Sequence, residues 1–142
     1  MGSINKITSK TLLTFLFLGI ILVLNSCCFS AKEVHLGNNI YLSEFDNVDR
    51  RIFYQKESCA TTADEIVPMT VLEVSHNSNW IIAKSGNKRG QTNFKYWVIK
   101  NSYDQTPDSK TVIENTIEFD DYKLYESYLT NNNIDLKLKK ID

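Results

Sequence analysis

The feature that most constrains this chain is a single, strongly apolar run near its N-terminus. Residues 1–10 carry two lysines and no acidic residue, and the apolar run extends from Thr11 to Leu24. A basic stretch followed by a short apolar stretch is typical of an export signal. The 13 residues from Leu12 to Leu24 are fewer than the roughly 20 that a permanent membrane-spanning helix requires. We therefore expect a cleaved signal peptide rather than a transmembrane anchor.

The apolar run ends in Leu24-Asn25-Ser26-Cys27, which resembles the lipobox of bacterial lipoproteins. An aliphatic residue stands three positions before the cysteine and a small residue directly before it, whereas Asn25 is less common at its position. The resemblance implies that a peptidase cleaves before Cys27 and that this cysteine carries palmitate-like acyl chains. Two or more chains on one residue give stable membrane anchoring.

The lipobox resemblance also implies a location. It predicts a bacterial cell-envelope protein that is held by lipid in the cell membrane or outer membrane, with its domain outside the cytoplasm. An ordinary secretory signal and an uncleaved anchor are the alternatives.

Cleavage before Cys27 sets the size and charge of the mature chain. It leaves 116 of the 142 residues, which suits one domain with a modest core. Two of the 16 basic residues and none of the 17 acidic ones are lost, so the net charge becomes −3. Without a basic surplus, we expect no nucleic-acid partner. The expected organisation is a signal peptide over 1–26, a lipidated tether over 27–32 and a globular domain over 33–142.

The two remaining cysteines leave two alternatives open. Cys28 and Cys59 would both lie in an oxidising compartment, where they could form a disulfide bond between tether and domain. Alternatively, Cys28 lies in a flexible linker and Cys59 is a free thiol. Connectivity cannot be read from a sequence.

Short apolar segments rich in β-branched and aromatic residues follow the tether, separated by Asn, Asp, Ser and Gly. This pattern predicts the strands of an antiparallel meander. The clearest pair is Asn79–Lys84 and Lys95–Lys100, which we interpret as a β-hairpin. A strand that begins after Pro68 and a turn over 76–79 would add a third strand beside them. Further strand candidates flank a turn at 37–39 and cover 51–55.

The C-terminal part changes from a strand period to a helix period. One helical stripe, spaced by three, three and four residues, is formed by Phe119, Tyr122, Tyr125 and Leu129. Thr116 or the acids after it would cap the helix, and Asn131–Asn133 would end it in a left-handed turn. The alternating segment Ile134–Leu138 predicts a final strand. The expected fold class is α+β, a mostly antiparallel β-meander with one C-terminal helix and a final short strand.

The order of these elements, with the strand sequences WIIAK, YWVIK and IDLKL around an acidic, aromatic helix, resembles a family of small bacterial lipoproteins of uncharacterised function. The resemblance covers roughly Leu36–Leu138. It implies a fold and a compartment and assigns no catalytic residue.

Few residues point to chemistry. His35 and His76 lack the spacing of a zinc site, so we predict no metal and no cofactor. Within the loop Lys84–Gly90, the basic residues Lys84, Lys88 and Arg89 could bind an anion, although the loop lacks the pattern of a phosphate-binding loop and equally suits a solvated hairpin tip.

The tryptophans and tyrosines allow two interpretations. They could line a carbohydrate or peptide groove, because aromatic side chains offer a large contact area. Trp80 and Trp97 lie within the most strand-like segments, which favours core packing instead.

The sequence favours a non-enzymatic, membrane-anchored module that binds an envelope protein partner, and an inhibitor or immunity-like role is one version of it. This hypothesis rests on small size, a lipid tether and the lack of a catalytic signature. The alternative is a small-ligand-binding or enzymatic domain that uses Cys59 or the loop Lys84–Gly90.

Overall fold

Nine strands and two helices make up the computed structural model of this protein, which describes residues 32–45, 49–87 and 93–141. The strands are β1 (Lys32–Gly37), β2 (Ile40–Phe45), β3 (Asp49–Tyr54), β4 (Asp64–Val67), β5 (Thr70–His76), β6 (Trp80–Gly86), β7 (Lys95–Lys100), β8 (Thr116–Phe119) and β9 (Lys139–Lys140). The helices are α1 (Ser109–Glu114) and α2 (Tyr122–Asn131). Residues 31–142 form one compact unit.

The strands form two antiparallel sheets. Sheet A has the order β1-β2-β3-β4, and sheet B has the order β8-β7-β6-β5-β9. The turn between β1 and β2 lies at Gly37, Asn38 and Asn39, which all have positive φ angles, of 124°, 44° and 63°. These residue types tolerate that backbone region, so the predicted turn is confirmed.

The predicted hairpin in sheet B is also confirmed. Trp80 of β6 lies opposite Lys100 of β7, and Lys84 lies opposite Tyr96. Strand β5 pairs with the other edge of β6, so the three strands are consecutive in the sheet, as expected. Among the β6 residues, Ile81, Ile82 and Ala83 are all fully buried, because sheet B is covered on both faces.

Two hydrophobic cores cover the two faces of sheet B. The first lies between the sheets and combines residues of sheet A, sheet B and α1, among them Ile52, Val67, Ile81, Ile99 and Val112. The second lies on the opposite face of sheet B and combines β6, β7, α2 and the segment after it: Ile82, Val98, Tyr125 and Ile134. The fold therefore has three layers, with sheet B in the middle.

The tryptophans pack in these cores, as the preferred interpretation expects. Trp97 belongs to the first core, where its indole N–H donates a hydrogen bond of 2.7 Å to Ser85 Oγ. Trp80 is partly buried against the second core. The hydrogen bond satisfies the polar atom that a buried tryptophan brings with it.

Asn101 connects the turns of the two sheets. Its side-chain amide is buried and donates hydrogen bonds to the carbonyl oxygens of Leu36, at 2.9 Å, and Asn77, at 2.8 Å. A Cβ atom at Gly37 would lie 2.6 Å from Asn101 Nδ2. Glycine is therefore required at this position both for its φ angle and for this close approach.

The expected α+β class with mostly antiparallel strands is confirmed, and the finer details differ from the prediction as follows. The strands divide into two sheets, and α1 is a second helix beside the one predicted. Thr116 and Phe119 lie in β8 opposite Ile99 and Tyr96, because this β-branched and aromatic tetrapeptide fits the open edge of β7. Helix α2 therefore begins later than expected.

The ends of α2 follow the expected capping chemistry. The Asp121 side chain accepts a hydrogen bond from the backbone N–H of Leu124 at 3.0 Å, so one of the acids caps the helix. At the other end Asn133 has a φ angle of 54°, which confirms the left-handed turn.

The final strand is shorter and later than expected. Only Lys139 and Lys140 pair with β5, opposite Val74 and Glu73. The segment 134–138 leaves the ladder because Ile134, Leu136 and Leu138 pack on the second core. Neither α1 nor α2, the two helices over the described ranges, has the length and apolar character of a membrane span.

Candidate functional site

A groove of about 840 Å³ lies on the outer face of sheet B, between α2 and the segment that follows it. Its floor comes from three neighbouring strands and consists of Glu73, Lys84 and Tyr96. One wall is the α2 face with Tyr122, Tyr125, Glu126, Leu129 and Thr130, and the other is the segment with Ile134, Leu136, Lys137 and Leu138. The volume lies within the range of about 300–1,000 Å³ that is usual for ligand sites.

The register of sheet B creates the floor of the groove. Glu73 lies opposite Lys84, and Lys84 lies opposite Tyr96, so the three side chains form one row across the strands. The bulge between Val71 and Glu73 sets this alignment. Lys84 Nζ lies 3.3 Å from Glu73 Oε1 and 4.3 Å from the centre of the Phe94 ring.

The ion pair between Lys84 and Glu73 changes the interpretation of the predicted anion-binding loop Lys84–Gly90. The charge of Lys84 is matched by Glu73, and its side chain is three-quarters buried, so it forms part of the groove floor. The other two residues of that prediction, Lys88 and Arg89, lie outside the described residues, and the anion-binding role stays a prediction.

Two tyrosines of the helix wall, Tyr122 and Tyr125, contact each other and Tyr96 of β7. Tyr125 stacks on Tyr96 with ring centres 5.2 Å apart and an interplanar angle of 27°. Tyr122 lies 5.2 Å from Tyr96 and 5.9 Å from Tyr125, and it remains 47% exposed. A hydrogen bond to Glu126, one helical turn further, raises the pKa of Tyr122.

Tyr125 carries a buried hydroxyl group without a hydrogen-bond partner among the described residues. The residue is only 2% exposed, and burial raises its pKa far above the ordinary value of 10.0, so the hydroxyl stays neutral. Leaving such a group unpaired costs about 1–3 kcal/mol. The Tyr103 hydroxyl also has no partner in the described part of the chain, but Tyr103 does not line the groove.

The second wall is held at both of its ends. The backbone N–H of Ile134 donates a hydrogen bond of 2.9 Å to the Leu129 carbonyl oxygen at the end of α2. Beyond it, β9 pairs with β5. Leu136 and Leu138 are partly buried against the second core, and Lys137 is exposed at the rim. The groove therefore has aliphatic and aromatic surfaces with a charged rim.

Cys59 is held in a loop organised by Glu33. It has a positive φ angle of 62°, and its backbone N–H donates a hydrogen bond of 2.8 Å to Glu33 Oε2. Its sulfur is disulfide-bonded, so the alternative of a free Cys59 thiol is wrong. A disulfide sulfur is also not a thiolate nucleophile. Cys27 and Cys28 both lie outside the described residues, so lipidation of Cys27 and pairing of Cys28 with Cys59 stay predictions.

The carboxylate of Glu33 accepts several hydrogen bonds in this loop. Gln55 Nε2 donates at 2.9 Å and Ser58 Oγ at 2.8 Å, in addition to the Cys59 amide. Burial alone would raise the pKa of Glu33, but these hydrogen bonds outweigh it and the pKa lies below its ordinary value. The contacts attach β1 to the loop that follows β3.

The two histidines line one shallow depression beside the β1–β2 and β5–β6 turns. His35 and His76 are both exposed there, beside Gly37 and Asn101. Within the part of the chain that the structure describes, no group of three or more His, Cys, Asp or Glu residues is arranged to hold a metal ion.

Sequence reasoning missed the residues that make the groove a candidate site. Tyr122, Tyr125 and Leu129 were assigned to the apolar stripe of the helix, whereas Glu73 and Glu126 were not singled out. The available signal was the pairing of Tyr122 with Glu126 at a spacing of four on the predicted helix. The Glu73 position depends on strand register, which the sequence does not provide.

Comparison with known proteins identified no relative of this chain. No protein-family model matches the chain, and no curated protein and no solved structure matches it. The site is thus characterised by its own geometry, a tyrosine-lined groove with a buried hydroxyl group that has no partner over the described ranges.

Proposed function

We propose that this protein is a membrane-anchored module of the bacterial cell envelope that binds a segment of a partner protein in the α2 groove. The observation that carries the proposal is the groove itself, with the unpartnered hydroxyl of Tyr125 in its wall. The proposed role is recognition without chemistry on the partner, and an inhibitor or immunity-like role is one version of it.

A polypeptide segment suits the surfaces of this groove. The Tyr125 hydroxyl is neutral and able to donate, so a backbone carbonyl group of the segment would accept a hydrogen bond from it once binding displaces the side chains that cover it. Apolar side chains of the segment would pack against Leu129 and Leu136 on the two walls. Tyrosine is enriched among the residues that dominate binding energy at interfaces, because it offers a large contact area and a polar tip.

The proposed location rests on the lipobox resemblance at Cys27. An acylated Cys27 would hold the domain close to the membrane, and this would raise the effective concentration of the module for a membrane-bound partner. A partner that reaches or resides in the envelope therefore fits the proposal.

Site-specific photo-crosslinking in cells tests the binding function. A photoreactive amino acid would replace Thr130, which is exposed at the groove, in the full-length chain. The matched control places it at Thr106, an exposed threonine before α1 that does not line the groove. We expect one discrete protein adduct from position 130 and none from position 106, with the crosslinked segment identified by mass spectrometry.

The same partner then allows a direct test of the hydroxyl group. In a binding titration with the crosslinked segment as a synthetic peptide, Tyr125→Phe should weaken binding about five- to tenfold, the usual effect of one lost hydrogen bond. Equal adducts at both positions, or no adduct at position 130, would contradict the proposed function.

A further inference from the structure

The charges around the groove indicate what the bound segment carries, and this inference rests on the proposed function. We propose that the segment presents a basic side chain, lysine or arginine, to Tyr122 and Glu126 in the α2 wall of the groove. The proposal concerns the side of the groove next to α2.

The two acidic residues of the groove differ in their partners. Glu73 is neutralised by Lys84, whose ammonium nitrogen lies 3.3 Å from its carboxylate. Glu126 is exposed on α2, and in the described ranges its carboxylate makes no ion pair; its recorded partner is the hydroxyl group of Tyr122. Glu126 therefore offers a negative charge that a bound cation can use.

The Tyr122 ring adds a second attraction for a cation. It contacts Tyr96 and Tyr125, with ring centres 5.2 Å and 5.9 Å away, yet it remains 47% exposed. A cation over an exposed aromatic face is attracted by the negative face of the ring. A guanidinium group could stack on Tyr122 and donate hydrogen bonds to the adjacent Glu126 carboxylate.

Lys137 on the opposite wall gives the bound segment an orientation. It is exposed and makes no ion pair within the described part of the chain, so it repels a basic side chain on its own side. A like charge placed against it would be unfavourable. The basic side chain is thus directed towards α2, and a neutral or acidic group faces Lys137.

A pair of small probes that differ in one charge tests the inference. N-acetylarginine methylamide and its neutral isostere N-acetylcitrulline methylamide would be titrated into the mature lipidated chain in detergent micelles. Amide NMR shifts at Tyr122 and Glu126 report binding. We expect the wild type to bind the arginine probe at least about fivefold more tightly than the citrulline probe, the effect of one cation–π and carboxylate contact.

Matched variants assign the preference to the proposed residue. Glu126→Gln should remove the arginine preference, whereas Glu114→Gln, which removes an exposed glutamate from α1, should retain it. Both variants should keep the dispersed amide spectrum of the wild type, which shows that they are folded. Equal affinity of the wild type for the two probes, shifts away from Tyr122 and Glu126, or an unchanged preference in Glu126→Gln would overturn the inference.

The two proposals fail in distinguishable ways. An adduct at position 130 without an arginine preference rejects only the basic side chain. The lack of an adduct at that position rejects the binding function from which this inference starts.

Discussion

Two single residues, Glu33 and Asn101, join distant segments of the chain through side-chain hydrogen bonds. Glu33 attaches β1 to the loop that contains Cys59, through hydrogen bonds from Gln55, Ser58 and the Cys59 amide. Asn101 joins the β1–β2 turn to the β5–β6 turn. Because each side chain bridges distant segments, each should contribute more to stability than an ordinary surface residue.

We predict that Glu33 makes stability depend on acidic pH. Its pKa is lowered in the folded protein from an ordinary value of 4.5, although burial opposes this, because the hydrogen bonds favour the ionised form. This contribution is complete above the unfolded pKa and is lost as the pH falls through the lower folded pKa. Glu33→Gln should lower the free energy of unfolding at neutral pH by about 1–2 kcal/mol, after allowance for solvent screening.

Urea unfolding between about pH 7 and pH 3 would test the Glu33 prediction. The difference between wild type and Glu33→Gln should shrink as the pH falls through this range. Glu57→Gln, which removes an exposed glutamate from the same loop, serves as the control and should change stability little. A difference that stays constant with pH would contradict the prediction.

We predict that Asn101→Ala destabilises the protein by about 2–4 kcal/mol, because the buried Leu36 carbonyl group and the partly buried Asn77 carbonyl group lose their donor. Chemical unfolding at neutral pH measures this difference. The control Asn93→Ala changes an exposed asparagine and should remain within about 0.5 kcal/mol of the wild type. A loss of similar size in both variants would argue against the bridging role of Asn101.

The stability of helix α2 depends on its cap and on its packing against the second core. It has 10 residues, and isolated helices of this length are marginal in water. The Asp121 cap and the packing of Tyr125 and Leu129 on the second core hold it in place. The same packing leaves the Tyr125 hydroxyl buried and without a hydrogen-bond partner among the residues that the structure describes. The group that we propose for binding therefore lowers the stability of the free protein.

We predict that Tyr125→Phe leaves the free energy of unfolding unchanged or raises it by up to about 1 kcal/mol, because an unpaired polar atom is removed and the ring is kept. Tyr125→Ala should lower it by about 3–5 kcal/mol through the cavity it creates. Thermal and urea unfolding compare the two variants. A marked destabilisation by Tyr125→Phe would mean that the hydroxyl has a partner in the free protein.

A strand or helix was predictable where a short stretch of sequence alone indicates its type. The β6–β7 hairpin was predictable because each strand is a dense apolar segment beside a loop-like stretch. Strand β8 was missed because Phe119 fits both a helix stripe and a pair with Tyr96, and only the open edge of β7 decides between them. Helix α1 has six residues, too few to show a helical period.

Lipid anchoring would determine where the whole protein resides in the cell. We predict that the mature chain begins at an acylated Cys27 and is found in the membrane fraction. Intact-mass measurement should give a chain that starts at Cys27 and carries acyl chains, whereas Cys27→Ala should lose the acyl mass and retain residues 1–26. An unacylated wild-type chain would contradict the lipobox interpretation.

The candidate site could not be predicted from the sequence because its residues come together only in the tertiary structure. Glu73, Tyr96 and Glu126 are far apart in the chain and meet only through the register of sheet B and the docking of α2. Composition indicated one domain, but the division of its strands between two sheets depends on long-range pairing. The position of a tyrosine in the apolar stripe of a helix predicts that its ring is packed. The hydrogen-bond partner of its hydroxyl depends on tertiary neighbours, which the sequence does not identify.

The position of β6 between two cores has a consequence for the exchange of amide protons with solvent. Ile81, Ile82 and Ala83 are buried in alternation against the two cores, and β6 is paired along both edges. Exposing their backbone requires both cores to open, which amounts to unfolding the domain. The slowest deuterium uptake should therefore occur in β6 and report global stability, whereas the edge strands β1 and β9 should exchange through local opening.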